Sequence, residues 1–382
     1  MARSTNKLSV GQLAPIQIKQ PRQTSADDAL GRSAENLRAL ELGSTLINLS
    51  MNENPEPPIE LLQATQLWAL QTANRYPIAV AQQLRDRLAQ LHQLRPSQVM
   101  LVNGATEAVA IIPRALSSAG GDVVLASLTF GAYEACCKKA GLGVQIVPMR
   151  KDMGIDLAGH LERISEATRL VFVSNPNNPT GCCFSHDEFV AFLSAVPSSV
   201  VVVLDEAYAD YVEGVRLPDS RALLDRYPNL IVLRTFSKSH GIAALRIGYV
   251  LGSEQWLARF EAARTPFTCN LMGIVAATTL IDHPSLILQT RQRNSRRRRL
   301  LEEIASEARF SFVPSQTNFL MVGTSPWSGL AIANHLRTRG VLVRSLDDQG
   351  MPQAVRIAVS TEEDLAVLRT QLLDIFAKER VS

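Results

Sequence analysis

The sequence predicts an α/β protein, and three observations carry that expectation. From about residue 46 onward, apolar runs of strand length alternate with helical patterns. The strand runs are continuous in Val, Ile and Leu rather than alternating, which marks strands buried on both faces of a mostly parallel sheet. Four of these runs end in clusters of polar residues, and in an open parallel sheet ligands sit beyond the carboxyl ends of the strands. With 382 residues, 46% of them apolar, the chain can bury more than one core. Its formal charge of +3 is too small to point to nucleic acid or a membrane surface.

Residues 1–45 are polar, rich in Gln, Arg and Ser and without periodicity, and read as an arm. The βαβ order follows: "LRDRLAQLHQL" (84–94) as helix, "QVMLV" (98–102) as strand, "TEAVAIIPRAL" (106–116) as helix and "DVVLAS" (122–127) as strand. Further strands are expected at 143–148, 170–174, 200–208 and 229–238. Beyond 275 the style changes. A long charged helix (285–308) precedes the short strands "FSFVP", "NFLMVG", "VLVRSL" and "AVRIAVS". The expected organisation is therefore an arm (1–45), a large domain (46–275) and a smaller α+β domain (276–382). The run "RRRR" (296–299) is spread around the helix axis and followed by "EE", so it reads as a solvated face rather than a nucleic-acid patch. Five cysteines without CxxC spacing indicate neither a disulfide framework nor a zinc site. No apolar stretch approaches the ~18–20 residues that span a bilayer, and a cytoplasmic location is expected.

The strand ends carry the chemistry. In "NGATE" (103–107) a strand gives way to a helix whose free N–H groups favour a phosphate, with Thr106 able to add its hydroxyl or simply to cap. "SNPNNPTG" (174–181) is a turn-forming string that either only reverses the chain or offers an amide donor from Asn175, Asn177 or Asn178 to a ligand oxygen. "VVVVLDEAY" runs straight into Asp205, and a carboxylate at that depth needs a cation, a metal or a helix end to hold. No His or Cys cluster accompanies it, so pairing to a positive ring nitrogen is favoured over a metal. "RTFSKSHGIAALRIGY" (234–249) places Lys238 between two serines, with Arg246 eight positions on.

These motifs, with "NLSMNENP" (48–55), stand in the order and spacing of fold-type I pyridoxal-phosphate aminotransferases, and the chain most closely resembles the histidinol-phosphate aminotransferase group over residues 46–375. The resemblance implies a large domain with a mostly parallel seven-stranded sheet, a smaller C-terminal domain, pyridoxal 5'-phosphate as cofactor and a homodimer. It implies Lys238 as the Schiff-base lysine. Ala105, Thr106, Ser237 and Arg246 would form the phosphate cradle, and Asp205 would pair with the pyridine nitrogen. Asn178 and Tyr208 would sit at the ring hydroxyl, with Phe130 stacked on the ring. Tyr76 would reach the cofactor phosphate of the neighbouring subunit, and Arg356 with Arg344 would clamp the substrate anion. A decarboxylase of the threonine-phosphate type shares all of these cofactor contacts. A DNA-binding regulator on this scaffold would need more than 45 unpatterned residues for its extra module. The chain departs from the family at "NENPEPP", at "GIAAL" and at Ser360, where glycine is usual, and its arm lacks the usual Pro-Tyr. The substrate is therefore open between histidinol phosphate and another amino acid. His240 carries no assigned role.

Overall fold

The computed structural model describes residues 46–379; the expected arm lies outside the described residues. A short strand, β1 (Ile47–Asn48), is followed by helices Ile59–Gln71 and Ile78–Leu91. There follow β2 (Val99–Val102), β3 (Asp122–Ala126), β4 (Gly143–Val147), β5 (Thr168–Ser174), β6 (Val201–Asp205), β7 (Leu230–Thr235) and β8 (Gly248–Gly252), which form one seven-stranded sheet in the order β2-β8-β7-β6-β5-β3-β4. The five strands from β4 to β7 in that order are parallel, and β8 runs antiparallel to both β7 and β2.

The continuous apolar runs have a two-sided explanation. Val201 and Val203 of β6 pack with the core under helices Ala105–Leu116 and Ala132–Lys139, while Val202 and Leu204 pack into the core on the opposite face. Each such fully buried side chain contributes roughly 1.5–3 kcal/mol, so an alternating polar residue could not be tolerated there. β4 is the exception and corrects the expectation of burial on both faces. It lies at the sheet edge, paired only with β3, and its Ile146 is 40% exposed. β8 escaped the sequence reading because it is five residues long and bounded by glycines. Gly248 is required there: a Cβ would lie 2.7 Å from the Arg234 carbonyl oxygen and 3.2 Å from Ala105 N, where sheet and helix start meet.

In the C-terminal part, helix Pro284–Glu307 covers an antiparallel sheet ordered β12-β13-β10-β9, built from β9 (Ser311–Val313), β10 (Phe319–Gly323), β12 (Arg344–Ser345) and β13 (Ala354–Ala358). The remaining strand, β11 (Val341–Leu342), pairs in parallel with β1, so the chain's first described strand is bound to this region, with Leu49 in its core. The arginine run is corrected here. Arg296 and Arg299 are exposed, but Arg297 and Arg298 are 8% and 7% exposed. Arg297 donates to Glu56 Oε1 and to Glu362 Oε2, both at 2.7 Å. Successive helical residues point about 100° apart, and this helix lies between other elements, so it cannot keep four consecutive side chains in water.

Candidate active site

Register brings the strand ends together. Ser174 of β5 stands opposite Asp205 of β6, which stands opposite Leu233 of β7, so the segments that follow these strands emerge side by side. Asp205 is 5% exposed; its Oδ2 accepts from the Tyr133 hydroxyl at 2.6 Å and its Oδ1 from the Ala207 N–H at 2.9 Å. Burial raises its pKa above the ordinary value, against the opposing pull of these two hydrogen bonds. Such a group gains most from a nearby cation.

Above it the chain supplies two cations held by one short segment. Lys238 Nζ donates to the carbonyl oxygens of Met51 (3.2 Å) and Asn52 (3.0 Å) and lies 5.7 Å from the Tyr208 ring centre. Arg356, on β13, donates from Nη2 to the Ser50 carbonyl and from Nη1 to Asn178 Oδ1, both at 2.6 Å. Burial pushes its pKa down to about 10. Tyr208 OH accepts from Asn52 Nδ2 at 3.1 Å, and Asn52 itself adopts φ +54° and is held through its carbonyl by Asn318 Nδ2 at 3.0 Å. Lys238, Asn178, Tyr208 and Arg356 are thus brought together. Arg344 lies directly opposite Arg356 in the antiparallel pair, but its Nη2 is engaged by Asp348 at 2.5 Å.

At the other end, helix Ala105–Leu116 begins at Gly104 with no side-chain cap, and Thr106 is exposed, so its first N–H groups are not satisfied by a capping hydroxyl. Arg246 lies across this start. A Cβ on Gly104, itself at φ +72°, would come within 2.4 Å of Arg246 Nη2. Arg246 has φ +48°, a left-handed conformation that costs a non-glycine residue roughly 1 kcal/mol. That turn carries the guanidinium back so that Nη1 donates to Ser237 Oγ at 3.3 Å. Ala105, Thr106, Ser237 and Arg246 are therefore neighbours, and together they offer a guanidinium, a hydroxyl and helix N–H groups to one anion.

The other expected residues are less uniform. Phe130 is half-buried, edge-on to Tyr133 with ring centres 5.5 Å apart. Asn175 and Asn177 do not offer their amides: Asn175 is locked to the backbone of Phe184, and Asn177 to the Leu128 carbonyl, Thr129 and Thr180. Only Asn178 of that string joins the cluster. Tyr76 stands apart within the chain, 75% exposed, its ring 5.0 Å from that of Phe267. Among the described residues no group of three His, Cys, Asp or Glu side chains comes together to hold a metal. The departure residues have local work: Glu56 pairs with Arg293 and Arg297, and Ser360 donates to Asp364 at the start of helix Glu362–Glu379. Sequence reasoning missed Tyr133 and Asn52. Tyr133 and Cys137, four apart and both fully buried, form a helix's core face, and a buried tyrosine hydroxyl requires a partner; that requirement was the available signal.

A phosphorylated pyridine fits these residues. The uncapped helix start with Arg246 suits the phosphate, the buried Asp205 suits a cationic ring nitrogen, and Lys238 and Arg356 reach the same short backbone segment. Residues 44–372 match the aminotransferase class I and II family. A histidinol-phosphate aminotransferase of Bacillus velezensis is 34% identical over 362 residues, covering 94% of this chain and 100% of that protein. Another, from Geobacillus thermodenitrificans, is 37% identical over 336 residues, 87% and 91% of the two chains. The solved histidinol-phosphate aminotransferase from Sinorhizobium meliloti, in complex with pyridoxal-5'-phosphate, superposes with a TM-score of 0.82 at 24% identity, covering 98% of this chain and 99% of that one. L-threonine-O-3-phosphate decarboxylase from Porphyromonas gingivalis superposes at 0.76 and 22%, covering 87% and 100%. Both superpositions bear on fold alone, and the family match carries the rest. The chain belongs to the class I and II aminotransferase family, pyridoxal-phosphate-dependent transaminases of fold type I.

Proposed function

We propose that this enzyme transfers the amino group of histidinol phosphate, or of a closely similar anionic amino compound, to a 2-oxo acid. The observation that carries the reading is the spacing of its two cations. Lys238 and Arg356 are hydrogen-bonded to carbonyls only two residues apart at most, Ser50 and Met51–Asn52, and two residues of chain extend no more than roughly 7 Å. One small substrate can therefore present its amine to Lys238 and its anionic end to Arg356. Histidinol phosphate is the substrate named for the relatives at 34% and 37% identity.

Pyridoxal phosphate supplies an electron sink for the pair left when a bond to the substrate Cα breaks. The chain's residues do the rest. Asp205 would hold negative charge for the ring nitrogen, and Tyr133 and the Ala207 N–H orient that carboxylate. Arg246, Ser237 and the N–H groups of Ala105 and Thr106 fix the phosphate. Asn178 and Tyr208 would serve the ring hydroxyl, and Phe130 would supply an aromatic face to the ring. Lys238 Nζ would hold the cofactor and serve as the general base for the substrate Cα proton. Arg356 exchanges Asn178 Oδ1 and the Ser50 carbonyl for the two oxygens of the substrate anion, with Arg344 beside it.

A homodimer working in the cytoplasm completes the reading. Tyr76 and Phe267, 75% and 57% exposed with ring centres 5.0 Å apart, would be covered by a second copy while Tyr76 enters its site. Among the described residues no single helix is long and apolar enough to cross a membrane. The test incubates the cofactor-loaded protein with histidinol phosphate and a 2-oxo acid, and traps the cofactor on its lysine with borohydride for peptide mapping. Amino-group transfer without CO₂, and a tag on Lys238, are expected. CO₂ release would select the decarboxylase, and a tag on another lysine would overturn the site.

A further inference from the structure

Lys238 is flanked by two serines, and the site described so far uses only Ser237. Ser239 is 2% exposed and points the other way. Its Oγ donates to Asp210 Oδ2 at 2.5 Å and lies 3.1 Å from His240 Nδ1, and its carbonyl accepts from Asn54 Nδ2 at 3.2 Å. Asp210 continues the network: its Oδ1 is 3.5 Å from Arg234 Nη1, and its backbone carbonyl accepts from Arg291 Nε of helix Pro284–Glu307 at 2.6 Å. Arg234 Nε donates to Glu206 Oε2 at 2.7 Å, and Glu206, next to Asp205, is held by Ser220 at 2.5 Å. The residue after the lysine and the residue after the ring-facing acid are therefore tied to one guanidinium. Burial works to raise the Asp210 pKa, but Arg234, His240 and the Ser239 hydroxyl outweigh it and hold the carboxylate below its ordinary value.

We infer that Ser239 and Asp210 are positioning residues for Lys238, registered through Arg234 and Glu206 against the strand end that carries Asp205. The inference rests on Lys238 being the cofactor lysine. A serine hydroxyl has one proton to donate, and that of Ser239 is committed to Asp210, so Ser239 acts through the backbone of its neighbour. Lys238 needs such support because its four-carbon side chain is flexible, and a shift of about 1 Å at a reacting group costs up to about a hundredfold in rate. His240 takes a place in the network beside the shared hydroxyl.

The test compares Ser239→Ala and Ser239→Thr with the parent. For Ser239→Ala, kcat falls about tenfold while KM for the amino donor and the cofactor Kd from absorbance titration stay nearly unchanged, because the shift moves an amine without removing a binding group; the thermal midpoint falls with the lost buried hydrogen bond. In cofactor-free protein, the rate at which acetic anhydride labels Lys238, read by peptide mass spectrometry, rises about threefold as the loop loosens. Ser239→Thr, which keeps the hydroxyl, restores most of kcat. An alanine variant with parental kcat and labelling rate overturns the inference, as does one whose kcat and cofactor affinity fall together. If borohydride mapping places the cofactor on another lysine, the proposed function fails; normal turnover in Ser239→Ala with the tag on Lys238 sinks only the positioning role.

Discussion

Tyr133→Phe isolates the support beneath the ring-facing acid. The tyrosine ring is fully buried, stacked on Phe172 with ring centres 4.7 Å apart at 4° and edge-on to Phe130, and phenylalanine keeps all of that packing. The 2.6 Å hydroxyl bond to Asp205 Oδ2 is lost, together with the hydroxyl's contact to Ser174. A buried hydrogen bond to a charged acceptor contributes about 1.5–3 kcal/mol, so the carboxylate is destabilised by about 2 kcal/mol relative to the neutral acid. At about 1.4 kcal/mol per pH unit, the pKa of Asp205 rises by roughly one unit or more. The acid is already above its ordinary value through burial, so the change has the same sign as the burial effect. The carboxylate that pairs with the ring nitrogen then forms only at higher pH. Cofactor affinity, measured by absorbance titration across pH, should show its acid limb displaced upward by about one unit, with kcat following. Urea unfolding of the cofactor-free protein should show a loss that grows from acid to neutral pH, because a raised folded-state pKa costs stability above the unfolded value. An acid limb that stays in place, with stability changed equally at all pH values, would refute the idea that the phenol holds this carboxylate.

Arg356→Lys replaces a planar fork that spans Asn178 and the Ser50 carbonyl with a single ammonium; kcat/KM for the amino donor should drop roughly ten- to hundredfold, read by initial rates, and the reasoning fails if KM is unaffected. His92 donates or accepts at the Tyr249 hydroxyl, 2.9 Å away, and burial lowers its pKa from 6.5 to about 4. Its contribution is fully present above pH 6.5 and is lost as pH falls toward 4, about 2 kcal/mol once partial solvent access is allowed for. Urea midpoints at the two ends of that window should converge in His92→Gln. Glu56→Gln removes a partner of Arg293 and Arg297, which leaves Arg297 with Glu362; Glu56 is about a third exposed, so the loss should be no more than about 1 kcal/mol, and it should shrink as salt concentration rises, read from urea midpoints of variant and parent.

The residues legible in the sequence were those whose cost is visible locally. Asp205 stood out because an acid at the end of "VVVVL" cannot be left alone in a core, and Lys238 and Arg246 because the loop that holds them follows another buried strand. Tyr133 was hidden because its place on a helix's apolar face reads as packing, and its hydroxyl finds its partner 72 residues away. Asn52 was hidden because its left-handed backbone and its bonds to Tyr208 and Lys238 join chain segments 156 and 186 residues apart. The arginine run misled for a related reason: helical spacing shows which way each side chain points but not what stands there, and Glu56 and Glu362 stood there.

The βαβ alternation and the polar clusters at the strand ends were determined by the sequence, because burial and charge set limits that hold within a few residues of each other. Which amides remained available among Asn175, Asn177 and Asn178, which arginine was engaged by an acid and which by Asn178 and the Ser50 carbonyl, and which serine beside Lys238 turned toward Asp210 were decided only by the tertiary structure. Hydrogen bonds between groups far apart in the chain are formed once the packed elements meet, and until then each polar side chain has several partners within its chemistry and none within its reach.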